Sequence, residues 1–489
     1  MQTFQLILLF SVFFIMAILM FLRKLPALLA LPIMAFLIPL ISGVSFVDTL
    51  QYVIGHGAVK LSTAYTIAIF GSMLSVFLQK TGIAENLIKK GAELSGDKPW
   101  SVSVLMLIII ILLFTTLGGL GAIIMVATIV LPIMAAVGIG PITIVGIFLF
   151  GLGTGGLLNA GNWALYINVL GLQIHEVRSF ALIMLALNFL CALVYITVQL
   201  FRDGQEINFT RITLFSGLFI TLGLMVLLIY FKISEKNRFE IEKFINYFWI
   251  SLKYLIAIFL VVIIIINFRR IIQKKESKVI HWSAYLTPLI PLLLILIFEM
   301  EFISAFICGL IYGVIAVYQK GIKNIFVRSV FEGGSAVMPA VVLMFGIGML
   351  LNAILGPGND WIQRNGTWPV LSLLQPVLAE IVPESPLSYV ITFTLLAPLA
   401  LYRGPLNVWG MGYGLAGILL ASGMNPGAIM GMLLGVGQIQ SISDPTNTHN
   451  VWLANEMKVD VQKILWNTLP YTWTLSLLGL IASALKFMV

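Results

Sequence analysis

Apolar runs of about 20 residues recur along almost the whole chain, separated by short polar or charged loops. A helix of that length crosses a hydrocarbon core about 30 Å thick. The pattern predicts spanning segments near 5–22, 25–43, 60–79, 142–171, 179–200, 212–232, 247–267, 284–299, 302–318, 333–352, 427–457 and 466–487. Two of these are interrupted in the same way. In the first, Gly151-Leu152-Gly153 leads into Asn159-Ala160-Gly161-Asn162-Trp163. In the second, Gly435-Val436-Gly437 leads into Ser443-Asp444-Pro445-Thr446-Asn447-Thr448-His449-Asn450. Unwound backbone inside a bilayer leaves N–H and C=O groups unpaired at several kcal/mol each, and persists only where it lines a cavity or is buried in protein. A matched pair of breaks in two halves points to a transporter binding site.

Two further apolar stretches, 101–137 and 387–423, are long enough to enter the membrane and return. Each has a turn at its middle, Leu117-Gly118-Gly119-Leu120-Gly121 in one and Arg403-Gly404-Pro405-Leu406-Asn407 in the other. They read as re-entrant hairpins. Gly118 and Gly404, Pro141 and Pro426, and Gly151 and Gly435 recur in order at nearly constant spacing, and Gly55-His56-Gly57-Ala58-Val59 has a counterpart in Gly333-Gly334-Ser335-Ala336-Val337.

Most of the 28 Lys and Arg residues fall in loops that this arrangement assigns to the cytoplasm, as the positive-inside bias requires. The basic loop 232–246, assigned outside, fits least well. With that topology the first hairpin opens from the cytoplasm and the second from outside, so the halves are inverted repeats. The expected fold is an all-α polytopic membrane protein. Residues 1–100 form scaffold helices with an interfacial helix, and 101–200 form the hairpin, broken helix and closing helix of repeat 1. A linker pair follows over 201–280, then scaffold helices of repeat 2 over 281–385, and the matching hairpin, break and closing helix over 386–489.

Composition narrows the class. The chain of 489 residues is 60% hydrophobic and 10% charged, which excludes a soluble globular protein. The alternating pattern of an outer-membrane barrel is absent. The first apolar segment lacks a basic leader and a small-residue cleavage site, so it is expected to remain as a helix. Cys191 and Cys308 lie in apolar runs and form no disulfide framework. The net charge of +8 sits in short loops rather than in a basic domain, which argues against nucleic acid as a partner. No His-Glu-x-x-His motif, phosphate-binding loop or paired intramembrane aspartates occur, and Gly435-Val436-Gly437 follows no strand, so an enzyme and a nucleotide cofactor are not expected.

The candidate chemistry lies at the turns and breaks. Half-helices starting after Gly121 and after Arg403–Pro405 would aim N-terminal N–H groups, with their partial positive charge, toward the membrane centre. Gly118, Gly119, Gly121, Gly404 and Asn407 are therefore candidate substrate contacts. Arg403 is costly at membrane depth. It would bind a carboxylate bidentately, pair with Asp444, or extend to the surface. Asn159, Asn162, Thr446, Asn447 and Thr448 offer neutral donors and acceptors for a solute, or else satisfy the freed backbone. Asp444, with Ser443 and His449, is the candidate coupling-ion group. It could carry a proton, hold Na⁺ with carbonyl oxygens, or simply start the break as an Asx-turn.

Hairpin, Pro-linked broken helix and closing helix, twice and inverted, resembles the ion transporter superfamily, which includes citrate and gluconate permeases, divalent-anion:sodium symporters and some sodium/proton antiporters. Residues 441–473, with Asp444, Trp452, Glu456 and Asn467-Thr468-Leu469-Pro470, look most like the end of gluconate- and citrate-type permeases. Gln79-Lys80-Thr81-Gly82 before a short polar helix also fits. The tips differ from the Ser-Asn-Thr of divalent-anion symporters. The resemblance implies an elevator movement, a homodimer held by scaffold helices 25–43 and 302–318, and a place in the cytoplasmic (inner) membrane. The expected function is secondary transport of a small organic anion bearing a carboxylate, such as a hydroxy acid or sugar acid, coupled to H⁺ or Na⁺. The alternative is a cation/proton antiporter of the same fold.

Overall fold

The computed structural model describes residues 2–22, 24–205, 235–273, 280–358, 361 and 365–489. All regular structure among them is helical. The first half runs α1 (Gln2–Phe21), α2 (Ala27–Ile41), α3 (Ser62–Lys80), α4 (Ile83–Ser95), α5 (Pro99–Phe114), α6 (Leu120–Ala136), α7 (Pro141–Gly156), α8 (Ala160–Leu170) and α9 (Ile174–Arg202). After α10 (Glu235–Ile272) the second half runs α11 (Leu289–Phe298), α12 (Phe302–Val317), α13 (Ile322–Leu355), α14 (Pro369–Ile381), α15 (Pro386–Leu396), α16 (Tyr413–Ala421), α17 (Pro426–Gln438), α18 (Thr448–Glu456) and α19 (Val461–Phe487). Seven helices among the described residues are long and apolar enough to cross a membrane, or eight if the bent pair α7–α8 is one span. The protein is a multi-pass helical membrane protein.

The hydrophobic pattern located most elements to within a few residues. The segment 212–232 lies outside the described residues. Three expectations need correction. The stretch 232–246, read as a loop, is helical from Glu235 onward, because α10 runs without interruption into its apolar part. The pairs Gly151/Gly153 and Gly435/Gly437 lie inside α7 and α17 and do not unwind them. They serve close packing: a Cβ on Gly151 would lie 2.6 Å from Ile110 of α5, and one on Gly435 would touch the backbone of α19 at Ser476. The second hairpin carries no helix from Arg403. A 3₁₀ turn that starts at Ala397 gives way to non-helical backbone at Leu401 and Tyr402, Gly404 is extended, and helix resumes only at Val408, so Pro405 sits in the turn and not in a first helical turn.

The scaffold is organised by α3 and α13. Gly57, just before α3, lies so close to α13 that an added Cβ would sit 2.6 Å from the Cα of Met349. Gly333 of α13 meets α3 in the same way, 2.6 Å from the Cα of Met73. The early end of one segment meets the late end of the other, so the two run antiparallel. The spacing from Gly57 to Gly333 is also the spacing from Met73 to Met349. The contacts are thus exchanged, Gly57 with Met349 and Gly333 with Met73.

Outside the scaffold, each broken helix packs by a glycine against the closing helix of its own half. Gly146 of α7 lies on Tyr195 of α9, and Gly431 of α17 lies on Ser483 of α19. A neutral network joins the two closing helices. Tyr195 Oη donates to Asn467 Oδ1 (2.6 Å), and Asn467 Nδ2 donates to Gln199 Oε1 (3.0 Å). Buried polar groups paired in this way hold helices together without an uncompensated charge.

The packing at Gly333 can be tested beside its neighbour. A methyl at Gly333 would strike backbone, which cannot rotate away, whereas Gly334 has nothing within 4 Å of an added Cβ. Gly333→Ala is expected to destabilise the protein by about 1–3 kcal/mol. Gly334→Ala is expected to be neutral or slightly stabilising, since alanine favours helix. Thermal unfolding of the two purified variants checks this, and equal midpoints would rule out the close crossing.

Candidate functional site

Three irregular stretches converge. The first is the turn of hairpin 1. α5 ends at Phe114, and Gly119 caps α6 with φ +82°, a left-handed conformation that favours glycine over a residue with a side chain. The second is the break between α7 and α8, which are bent 49° apart across Leu157–Asn159. The third is the break between α17 and α18. There a π-turn over Ile439–Ser443 is followed by extended residues from Asp444, and helix resumes at Thr448.

A helix that stops inside a membrane leaves its last carbonyls without partners. Here side chains from the next half-helix supply the donors. At the first break, Asn162 Nδ2 donates to Gly156 O (2.8 Å) and the Trp163 indole donates to Leu157 O (2.7 Å). At the second, Asn447 Nδ2 donates to Gln440 O (2.6 Å) and Asn450 Nδ2 to Ile442 O (2.9 Å). His449 Nε2 lies 3.1 Å from Ser441 O. A carbonyl only accepts, so that nitrogen carries the hydrogen. Asn159 caps α8, its Oδ1 accepting from Gly161 N–H at 3.0 Å. These asparagines and the histidine therefore hold the breaks open, whatever else they touch.

The three stretches surround one cavity of about 350 Å³, also walled by α3, α12 and α13. Of the expected site residues it brings together Gly118, Gly119, Asn159, Asn162 and His449. Gly121, Gly404, Asn407, Ser443, Asp444, Thr446, Asn447 and Thr448 do not line it. Neither does Arg403, which is exposed, left-handed at φ +58°, and forms no ion pair among the described residues. No Asp, Glu, Lys or Arg lines the cavity. Its polar wall also includes Ser72, Thr116, Gln438 and Gln440, which the sequence reading did not single out. The glutamines had a signal, since they interrupt the apolar run Leu433–Ile442. Ser72 had none, because a lone serine in a helix is unremarkable until its neighbours are known.

Asp444 is fully buried. Its partner is not Arg403. Oδ1 accepts from the Tyr402 N–H (3.1 Å), the Thr446 N–H (2.9 Å) and the Thr446 hydroxyl (2.7 Å), while Asn407 Nδ2 lies 3.4 Å from Oδ2. The two Thr446 bonds form the Asx-turn that starts the break. The other two reach across to the tip of hairpin 2, where Tyr402 is held at φ +55°. One carboxylate thus ties the second break to the second hairpin. Ser443 sits behind it in a sealed hydroxyl cluster, 2.8 Å from both Thr468 Oγ1 and Thr472 Oγ1.

Asp444→Asn tests that tie. An asparagine must turn an NH₂ toward groups that are themselves donors, leaving at least one buried hydrogen unpaired. The expected loss is about 1–3 kcal/mol, read as a lower thermal midpoint of the purified protein. An unchanged midpoint would mean that the four contacts contribute nothing.

No protein-family model and no curated protein matches the chain. Two solved structures share its fold. The Alcanivorax borkumensis YdaH transporter, described as having an unusual topology, aligns over 90% of this chain and 88% of its own, with TM-score 0.50 and 13% sequence identity. MtrF of Neisseria gonorrhoeae, described as illuminating a class of antimetabolite efflux pumps, aligns over 91% of this chain and 84% of its own, with TM-score 0.51 and 14% identity. At that identity the likeness is one of fold.

Proposed function

We propose that the protein is a secondary transporter that moves a small organic anion bearing a carboxylate, a hydroxy acid or sugar acid, across the cytoplasmic membrane. The observation that carries this reading is the meeting of two helix breaks and a hairpin turn around one cavity whose largely apolar wall holds a few polar side chains. Backbone of this kind is tolerated at membrane depth only beside protein or a water-filled space. The N-termini of α6 and α8 open on it at Gly118–Gly119 and Asn159–Gly161, and such ends favour negative charge. Both fold neighbours are transporters.

The exchanged contacts Gly57–Met349 and Met73–Gly333 support an inverted repeat. A two-fold that swaps antiparallel membrane helices lies in the plane of the bilayer, so each half would face the opposite side. In the elevator movement proposed for this architecture, hairpins and broken helices would travel against the α3–α13 scaffold, with two copies joined through scaffold helices.

An anion entering a cell works against an inside-negative potential, about 2.3 kcal/mol per charge per 100 mV, so a cation must accompany it. Asp444 is the proposed coupling group, for H⁺ or, with nearby oxygens, Na⁺. Its bonds to Tyr402 and Asn407 support that role, because neutralising or occupying the carboxylate alters what holds hairpin 2 to the break. The cation/proton antiporter is less well supported. In that reading Arg403 pairs with Asp444, and the pair is not formed.

Uptake into proteoliposomes tests the proposal. Saturable accumulation of a carboxylate such as gluconate or malate is expected only when an inward H⁺ or Na⁺ gradient is imposed. Non-saturable flux would indicate a channel, and cation exchange without acid uptake would favour the antiporter. Gly118→Cys, placed where an added side chain meets nothing within 4 Å, should react with a thiol reagent and be protected by the transported acid.

A further inference from the structure

The cavity wall has no ionised side chain, so an anion held there depends on neutral donors. Several polar groups around it are already bonded to backbone, Asn162 and His449 at the breaks and Thr116 and Gln438 to carbonyls three or four residues earlier. Gln440 is an exception. It is 5% exposed. The N–H of Val408, at the start of the helical part of hairpin 2, donates to Gln440 Oε1 at 2.7 Å. A backbone N–H cannot accept, so the oxygen is fixed on that side and the NH₂ on the other. That NH₂ makes no hydrogen bond among the described residues, yet it is not sealed off from open space. The open space that Gln440 borders is the cavity. Asn159 is arranged alike: Gly161 N–H holds its Oδ1 at 3.0 Å, and its NH₂ is unpartnered among the described residues in the same cavity wall. One amide comes from each break.

We propose that Gln440 is the specificity-determining residue for the solute's carboxylate, its NH₂ donating to one carboxylate oxygen, with the Asn159 NH₂ as the donor from the opposite break. The assignment rests on the proposed transport of an organic acid and names how that acid is recognised. An NH₂ that lines a cavity and has no protein acceptor offers its hydrogens to whatever occupies the cavity. A carboxylate, which only accepts, suits both donors. A neutral counterpart ending in a hydroxymethyl or carboxamide group brings donors of its own and suits them less well. Because both amides are neutral, the anion's charge is left for the N-termini of α6 and α8 and for the accompanying cation. Because Val408 fixes the Gln440 amide, displacement of hairpin 2 also releases the group that reads the carboxylate.

The test uses the purified full-length protein and a binding titration with gluconate, lactate and malate, each beside a neutral counterpart such as sorbitol for gluconate and lactamide for lactate. Gln440→Glu keeps an oxygen for the Val408 N–H and replaces the NH₂ by a carboxylate oxygen. Asn159→Asp does the same opposite Gly161. Each is expected to weaken binding of the acids by about tenfold or more while changing the neutral counterparts little. Gln440→Asn, uncharged, withdraws the NH₂ by one methylene and should give a smaller, acid-selective loss; it keeps the test decisive if the glutamate variant does not fold. Acid binding that all three variants retain at wild-type strength overturns the role of the amides alone. Wild-type protein that binds none of the acids overturns the proposed substrate class itself.

Discussion

The structure depends on the need to satisfy every backbone hydrogen-bonding group where no bulk water is available. Both helix breaks create orphan carbonyls, and both are repaired from the C-terminal side by side chains a few residues on: Asn162 and Trp163 in one half, Asn447, His449 and Asn450 in the other. Those repairs leave the breaks stable enough to line a cavity. They also engage two polar groups of the cavity wall, Asn162 and His449, that would otherwise be offered to a solute. A site built this way has few free hydrogen-bonding groups, and each one left over is informative.

The same economy shapes the distribution of charge. Arg403 faces outward, and the cavity wall carries no fixed charge. The buried carboxylate of Asp444 stands behind the wall, where Tyr402, Thr446 and Asn407 supply donors in place of a cation. Donors converging on that carboxylate make it part of the local architecture. Any change at that group is therefore felt at the tip of hairpin 2.

Much of the architecture was readable from the chain. Apolar length located the helices, and the Asn-rich and Asp-Pro clusters marked the two breaks. The sequence match set Gly55 against Gly333, whereas the close contacts are made by Gly57 and Gly333. What misled was the weight given to residue type without position. Gly151, Gly153, Gly435 and Gly437 looked like helix breakers, yet each lies in continuous helix, where the small residue admits a neighbour. Arg403 looked like the substrate clamp because a buried arginine would need a partner. The turn at Tyr402–Arg403 leaves it exposed and away from the cavity.

Hydrophobic periodicity and punctuation by themselves determined that the chain crosses a membrane many times and where two of its apolar segments are interrupted. These are local properties, written in segment length and in which residues tolerate non-helical backbone. Which polar groups remain free is not local. Whether an amide of Gln440 or Asn162 faces a solute or a neighbouring carbonyl depends on where a donor such as the Val408 N–H arrives from a distant part of the chain. Whether Asp444 meets a cation depends on how hairpin 2 folds over it. Only the tertiary structure decided those matters, because hydrogen-bond satisfaction is settled between segments and not within them.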